Sequence, residues 1–286
     1  MRCRFRMWAA TWALCLAFLL PGPARSQDAG NPQDRGPGLA TSMFGTYIEK
    51  GDLLIYPFFE YYLDDNLEYE PADMGYALAQ DFRGRYTASE GIFFLGYGIT
   101  DWLAVEFEAA VISARLEKAA DDPSTMPSEI KESGLGDVEG QVRWRWMKED
   151  LQRPELFSYF EAVSPQSKNK PLTGTPDWEY KLGFGVIRGF SWGTMTARAA
   201  GEYLAETSST GPGEFAIEYL RRLSPHWHLY TGIEGVEDEV SLIAEAQWHV
   251  NKNVVVKLNN GFGITSKATD FSPEVGVMFR IPTSRP

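Results

Sequence analysis

The strongest constraint on this chain is a two-residue rhythm with no competing helical pattern. In Val138-Glu139-Gly140-Gln141-Val142-Arg143-Trp144-Arg145-Trp146, the residues Val138, Val142, Trp144 and Trp146 share one side, and Glu139, Gln141, Arg143 and Arg145 share the other. Successive side chains of a strand point to opposite faces, so this segment reads as a strand with two chemically opposed surfaces. The rhythm recurs in Val240, Leu242, Ala244, Ala246, Trp248 and Val250, which oppose Ser241, Glu245, Gln247 and His249. It recurs again where Trp178, Tyr180, Leu182, Phe184 and Val186 oppose Glu179 and Lys181.

Scanned this way, the chain predicts strands at Leu53–Tyr62, Phe82–Gly98, Leu103–Leu116, Gly136–Met147, Glu155–Val163 and Trp178–Arg188. Further strands follow at Gly193–Ala205, Glu214–Leu223, His226–Val236, Val240–Val250, Val254–Gly263 and Glu274–Ile281. Most approach the roughly 9 to 11 residues of a tilted membrane-spanning strand. Alternate connections are tight, as at Ile99-Thr100-Asp101, Phe190-Ser191-Trp192, Ser224-Pro225 and Asn251-Lys252-Asn253. Those between them are mostly long and polar, the short turn near Val236–Glu239 excepted. An even strand number with short turns at one end and long loops at the other describes an all-β, antiparallel up-and-down transmembrane β-barrel. Closure leaves no unpaired edge in lipid.

Periodicity alone also fits a soluble, periplasmic β-rich binding protein, whose apolar face would be a core. Two features favour the barrel. Trp102, Trp146, Trp178, Trp192, Trp227 and Trp248 sit near strand ends, where an interfacial aromatic girdle belongs. The last strand, Glu274-x-Gly276-x-x-Phe279-x-Ile281, resembles the terminal signal read by the barrel assembly machinery, with Pro282 to Pro286 trailing it.

The N-terminus places the chain in a cell. Arg2, Arg4 and Arg6 precede an apolar run from Ala9 to Leu20, and Ala24-Arg25-Ser26 offers small residues for cleavage, so residues 1–26 read as a signal peptide. The run falls short of the roughly 20 apolar residues that span a bilayer. Residues 27–42, rich in Gly, Pro, Asp and Gln, read as a disordered leader, and 43–286 as the barrel. The expected location is the outer membrane of a Gram-negative bacterium, with outer-membrane lipid as the surrounding partner.

Both cysteines, Cys3 and Cys15, would leave with the signal peptide, which excludes disulfides from the mature chain. The signal also removes four arginines, leaving 23 basic against 39 acidic residues, a net charge of −16. Such a balance argues against a nucleic-acid partner, which needs a basic face.

Two short motifs carry a family resemblance. Tyr97-Gly98-Ile99-Thr100-Asp101 is similar to a strand-ending Tyr-Gly-Leu-Thr-Asp turn. Gly134-Leu135-Gly136-Asp137 is similar to a Gly-x-Gly-Asp lead into an alternating Arg/aromatic strand. Both resemble stations of a bacterial outer-membrane β-barrel transporter family linked to the meta-pathway of phenol degradation. The resemblance implies a channel that passes small compounds, aromatic or hydrophobic ones among them, and implies no catalytic signature.

The glycines Gly134, Gly136 and Gly140 also invite a phosphate-cradle reading. A dinucleotide fingerprint needs a helix N-terminus after the glycines, and here a strand follows. Gly134 and Gly136 are therefore expected to turn the chain from a loop into the wall, with Gly140 on the outward face. Chemistry is confined to the inward face, to which the alternation assigns Glu106, Glu108, Glu139, Arg143, Arg145, Glu179, Lys181, Glu245 and Lys257 as possible permeant contacts. Arg198, Glu202, Glu218, Glu234 and Arg280 share that face. Charges of both signs there are expected to pair, since an unpaired buried charge is costly.

No serine-centred elbow or His-Glu-x-x-His motif occurs, and no enzyme is expected. His226 and His228 share a strand face without a neighbouring ligand to complete a metal site. Asp64-Asp65-Asn66 and Asp121-Asp122 read as solvated loop acids, and no cofactor is expected. A barrel with a blocked lumen, serving as a structural or surface-interaction element, stands beside the channel reading.

Overall fold

The computed structural model describes residues 34–166 and 169–283. Its wall is a closed barrel of twelve antiparallel strands, each paired with its neighbours in sequence, with the last strand pairing the first. After two short strands, β1 (Leu39–Ala40) and β2 (Tyr47–Ile48), come β3 (Asp52–Tyr69), β4 (Phe82–Gly98), β5 (Leu103–Glu117) and β6 (Glu129–Met147). Next are β7 (Glu155–Ser164), β8 (Glu179–Phe190), β9 (Gly193–Leu204) and β10 (Ser209–Arg222). The wall ends with β11 (Trp227–Val236), β12 (Glu239–Asn251), β13 (Val254–Gly263) and β14 (Phe271–Pro282). Closure runs through β14 and β3, where Glu274 faces Glu60 and Ile281 faces Leu53. No helix among the described residues is long and apolar enough to cross a membrane.

The alternation sorts side chains as the rhythm predicts. Phe59, Phe107, Val142, Leu182, Phe184, Leu242 and Phe279 are exposed on the outside, whereas Glu106, Arg143, Glu245 and Lys257 are buried inside. In a soluble sheet this arrangement would be inverted, because apolar residues would fill the core. In a bilayer it is the stable one. All six tryptophans expected in a girdle are exposed. The ladders place Trp102, Trp146, Trp192, Trp227 and Trp248 at the short-turn end and Trp178 at the long-loop end. Several pack in rows, with Trp102 tilted against Trp144 at 4.7 Å and Phe190 stacked on Trp192 at 4.7 Å.

Four strands grow well beyond their predicted bounds at the long-loop end: β3 runs on to Tyr69, and β6, β10 and β14 start at Glu129, Ser209 and Phe271. This corrects the expected role of Gly134 and Gly136. Both lie inside β6, where Gly134 pairs Ile112, at a register shift opposite Ala109 to Val111. They seat a bulge in the wall and do not turn the chain into it. Gly140 faces outward as expected, with nothing within 4 Å of where a Cβ would sit.

The outer extensions and loops knit into a cap. Tyr69, Phe82, Leu116, Met126 and Leu172 form a buried apolar cluster there. The Tyr69 hydroxyl donates to Asp122 at 2.9 Å and accepts from the Ala119 amide at 2.9 Å. Burial alone would raise the Asp122 carboxyl, but Ser124, Tyr69 and Lys118 together hold it below its ordinary value.

The expected leader needs a larger correction. Its residues 34–42 do not form a loose tail. With residues 43–50 they fold into a hairpin inside the barrel, where Leu39 pairs Ile48 and Ala40 pairs Tyr47. The expected signal peptide and the first part of the leader, residues 27–33, lie outside the described residues.

Candidate functional site

The hairpin divides the lumen into two regions. Its legs stand at the short-turn end and its tip, residues 41–46, reaches the barrel middle. Apolar side chains hold it from within: Leu39 and Ile48 pack on Leu54, Tyr56, Phe58 and Phe94 of the wall, and Tyr47 packs on Tyr159, Ile187 and Tyr230. Two inward glycines make room on the β7–β8 side. A Cβ on Gly183 would lie 2.0 Å from the Tyr159 ring, and one on Gly185 would lie 2.1 Å from the Phe157 ring.

Polar groups fix the hairpin as well. Arg35 reaches Glu149 at 2.7 Å and Glu155 at 3.1 Å, and Arg145 pairs with Glu155 at 3.1 Å. Arg145 also donates to the carbonyls of Pro37 and Gly38. At the tip, the Ser42 hydroxyl donates to Glu106 at 2.6 Å. Lys257 and Gln247 donate to the Phe44 carbonyl at 3.0 and 3.1 Å, while Glu245 binds Lys257 at 3.1 Å and Gln247 at 2.6 Å. Arg280 donates to the Tyr47 carbonyl at 2.8 Å. Charges buried this deeply persist because each meets an opposite charge or several hydrogen bonds.

Above the tip lies a cavity of about 700 Å³. Phe44 and Met43 are in its floor, Phe58, Tyr62, Ile92 and Ile243 in its sides, and residues 171–175 of the β7–β8 loop in its roof. Its wall carries Asp137 and eight glutamates, Glu60, Glu90, Glu108, Glu139, Glu214, Glu234, Glu239 and Glu274, and among the described residues lining it Lys257 is the only base.

The predicted inward residues therefore split. Glu106, Arg143, Arg145, Glu245 and Lys257 surround the hairpin, and Lys181 joins them through Glu161 at 2.9 Å, which in turn accepts from Gln141 at 2.6 Å. Arg143 bridges this chain, donating to Gln141 at 2.6 Å and facing Glu106 at 3.7 Å. Glu108 and Glu139 line the cavity, and Glu179, at the outer end of β8, does not. The expectation of general pairing holds below the tip and only in part above it, where Arg198 meets Glu214, Glu218 and Glu234 while Glu108 and Glu139 form no ion pair among the described residues. Glu60, Glu90 and Glu274 were missed, although each alternates with an outward residue, Phe59, Gly91 and Val275. Arg35 lies in the segment expected to be a disordered leader, where no alternation marks an inward side chain.

The histidines also regroup. His228 packs not against His226 but against the tilted ring of His249, centroids 4.0 Å apart, and His226 sits outside the strand with its Nδ1 near the His249 carbonyl. Among the described residues, no group of three or more His, Cys, Asp or Glu side chains could hold a metal ion.

This architecture is shared with solved outer-membrane barrels. The chain is similar to the COG4313 outer membrane channel from Pseudomonas putida F1, at 12% identity over 85% of this chain and 100% of that one, with a TM-score of 0.61. It is also similar to the translocator domain of the autotransporter NalP from Neisseria meningitidis, at 12% identity over 81% of this chain and 89% of that one, with a TM-score of 0.50. The Ralstonia pickettii toluene transporter TbuX matches at 10% identity over 83% of this chain and 90% of that one, and its TM-score of 0.45 is too low to carry an argument. No family model matches the chain, and no curated protein does. At these identities the likeness establishes the fold, an outer-membrane type of β-barrel.

Proposed function

We propose that the chain is a channel of the Gram-negative outer membrane that lets small compounds, aromatic and hydrophobic ones among them, cross passively. The observation that carries this reading is a lumen that holds a cavity of about 700 Å³, of mixed polar and aromatic lining, above the hairpin. A twelve-stranded barrel is wider than an eight-stranded one, whose interior is filled by side chains, so it has room for both a plug and a solute. The resemblance of Tyr97 to Asp101 and Gly134 to Asp137 to the phenol meta-pathway transporter family supports the same class of solute. The outer membrane channel among the similar structures supports a non-enzymatic role, and the Glu274-to-Ile281 motif supports delivery by the barrel assembly machinery.

In this reading the short-turn end faces the periplasm, and passage requires the hairpin of residues 34–50 to shift or leave. The second reading, a barrel with a blocked lumen and a structural role, is favoured by the many bonds to that hairpin.

The test is reconstitution of the mature chain in liposomes with solutes graded by size. A channel gives swelling with a sharp size limit and heat-modifiable migration in detergent gels. A folded barrel that passes no ion or solute supports the structural reading, and a chain that purifies as a soluble periplasmic monomer refutes both.

A further inference from the structure

The wall of the outer cavity contains an arrangement that is costly when empty. Asn259, Glu274, Glu60 and Glu90 stand directly opposite one another on four neighbouring strands: Asn259 faces Glu274, Glu274 faces Glu60, and Glu60 faces Glu90. Like charges in directly opposed positions repel and destabilise a sheet. Among the described residues, no lysine or arginine forms an ion pair with Glu60, Glu90, Glu108, Glu139 or Glu274. Lys257, the base in that wall, is committed to Glu245 and to the hairpin.

A second observation does not depend on charge. Asn259 is 8% exposed and lines the cavity. Its Nδ2 donates to Glu274 Oε2 at 3.2 Å, which fixes the orientation of the amide, and its Oδ1 has no hydrogen-bond partner. A buried carbonyl oxygen without a donor carries a desolvation cost that a bound N–H would remove. The missing group is thus a donor, and although Tyr56 and Asn259 both hydrogen-bond Glu274, a belt of carboxylates without ion pairs favours a donor that is positive. Because no metal-ligating cluster is formed among the described residues, a compact hydrated ion fits less well than an organic one. Phe44, Phe58 and Tyr62 stand in the same wall, and aromatic faces attract both an organic cation and its apolar body.

We propose that this cavity binds a small organic cation, an ammonium group carried on an aromatic body. The ammonium sits against Glu274, Glu60 and the Asn259 carbonyl, and the ring lies against Phe58 and Tyr62. The inference rests on the channel reading for its route through the barrel and narrows the class of solute, but the binding step stands by itself. A neutral hydrophobe would leave the Asn259 oxygen unsatisfied, and an anion would face eight glutamates and Asp137.

Three probes with one ring and different charge test it: benzylammonium, benzyl alcohol and benzoate, titrated calorimetrically into the detergent-folded mature chain against micelle blanks. Benzylammonium is expected to saturate one site and to weaken with added salt, with no saturable heat from the other two. Glu274→Gln and Asn259→Leu are each expected to weaken it by about tenfold, the loss of one hydrogen bond to a charged group. Glu68→Gln, an acid bonded to Arg83 and Lys267 at the outer rim, is expected to leave it unchanged. Heat-modifiable migration shows that each variant is folded. Equal heats from all three probes, unchanged affinity in both cavity variants, or a site that Mg²⁺ occupies in place of benzylammonium would each overturn the proposal. Flux of the same probes into proteoliposomes separates the two readings. Cation binding without flux sinks the channel and leaves the site, whereas equal flux of all three sinks the site and leaves the channel.

Discussion

The two halves of the lumen solve the problem of enclosed charge in opposite ways. Below the hairpin tip, acids and bases interlock: Arg35 and Arg145 share Glu155, and Glu245 holds Lys257 under the rings of Phe44 and Tyr56. Above it, Arg198 pairs with Glu214 and Glu234, but Glu60, Glu90, Glu108, Glu139 and Glu274 form no ion pair among the described residues, and a cavity remains. Satisfied networks rigidify a structure, while unsatisfied ones mark places where something else is meant to bind. The inner half is built to hold the chain's own segment. The outer half is built to hold something the chain does not supply.

The most drastic way to break this contrast is to remove the segment. Deleting residues 34–49 would strip the inner half of its partner and open the barrel from end to end. Single-channel conductance is expected to rise several-fold over the intact chain, with larger solutes admitted in liposome swelling. Conductance equal to that of the intact chain would mean that the hairpin does not obstruct the path.

A sharper cut separates the pair from the plug. Lys257→Met leaves Glu245 buried without a counter-charge and takes a donor from the Phe44 carbonyl. Removing one partner of a buried pair costs about 3–5 kcal/mol. The double variant Lys257→Met with Glu245→Gln is expected to recover most of that loss. Urea unfolding from lipid vesicles measures both, and equal destabilisation in the single and double variants would show that the pair contributes little.

Much of the wall was legible because lipid and lumen impose opposite demands on adjacent residues. Phe82–Gly98 and Val254–Gly263 were read to the residue, since their alternation persists to both ends. Legibility fails where a strand leaves the bilayer. Apart from Ile130, Glu129 to Ser133 are polar or small, as are Ser209 to Gly213, so little in their pattern distinguishes a strand from a loop. The hairpin was illegible for a different reason. Residues 34–42 bury themselves against a polar lumen, so Asp34, Arg35 and Ser42 look like solvated tail residues although each finds a partner on the wall. Inward direction could be read from alternation for Glu106 or Glu245. Whether an inward acid has a basic partner depends on the register between strands, which places Glu60 against Glu90 and Glu274 and which no single strand reveals.

The smallest expected effect tests whether the inner packing is as tight as its bonds suggest. Gly183 and Gly140 are both glycines in the wall, one facing the lumen and the other facing out. A Cβ at Gly183 would meet Tyr159 at 2.0 Å, and Tyr159 cannot swing away freely because its hydroxyl donates to Glu214 at 2.6 Å. A Cβ at Gly140 would meet nothing within 4 Å. Overpacking a well-filled interior costs about 1–3 kcal/mol, and a methyl group projecting into lipid costs none of that. Gly183→Ala is therefore expected to lower the urea midpoint and Gly140→Ala to leave it unchanged or raise it slightly, because alanine restricts the unfolded chain. If both substitutions behave alike, the aromatic contact over β8 is loose, and the inner half owes its order to the ion pairs alone.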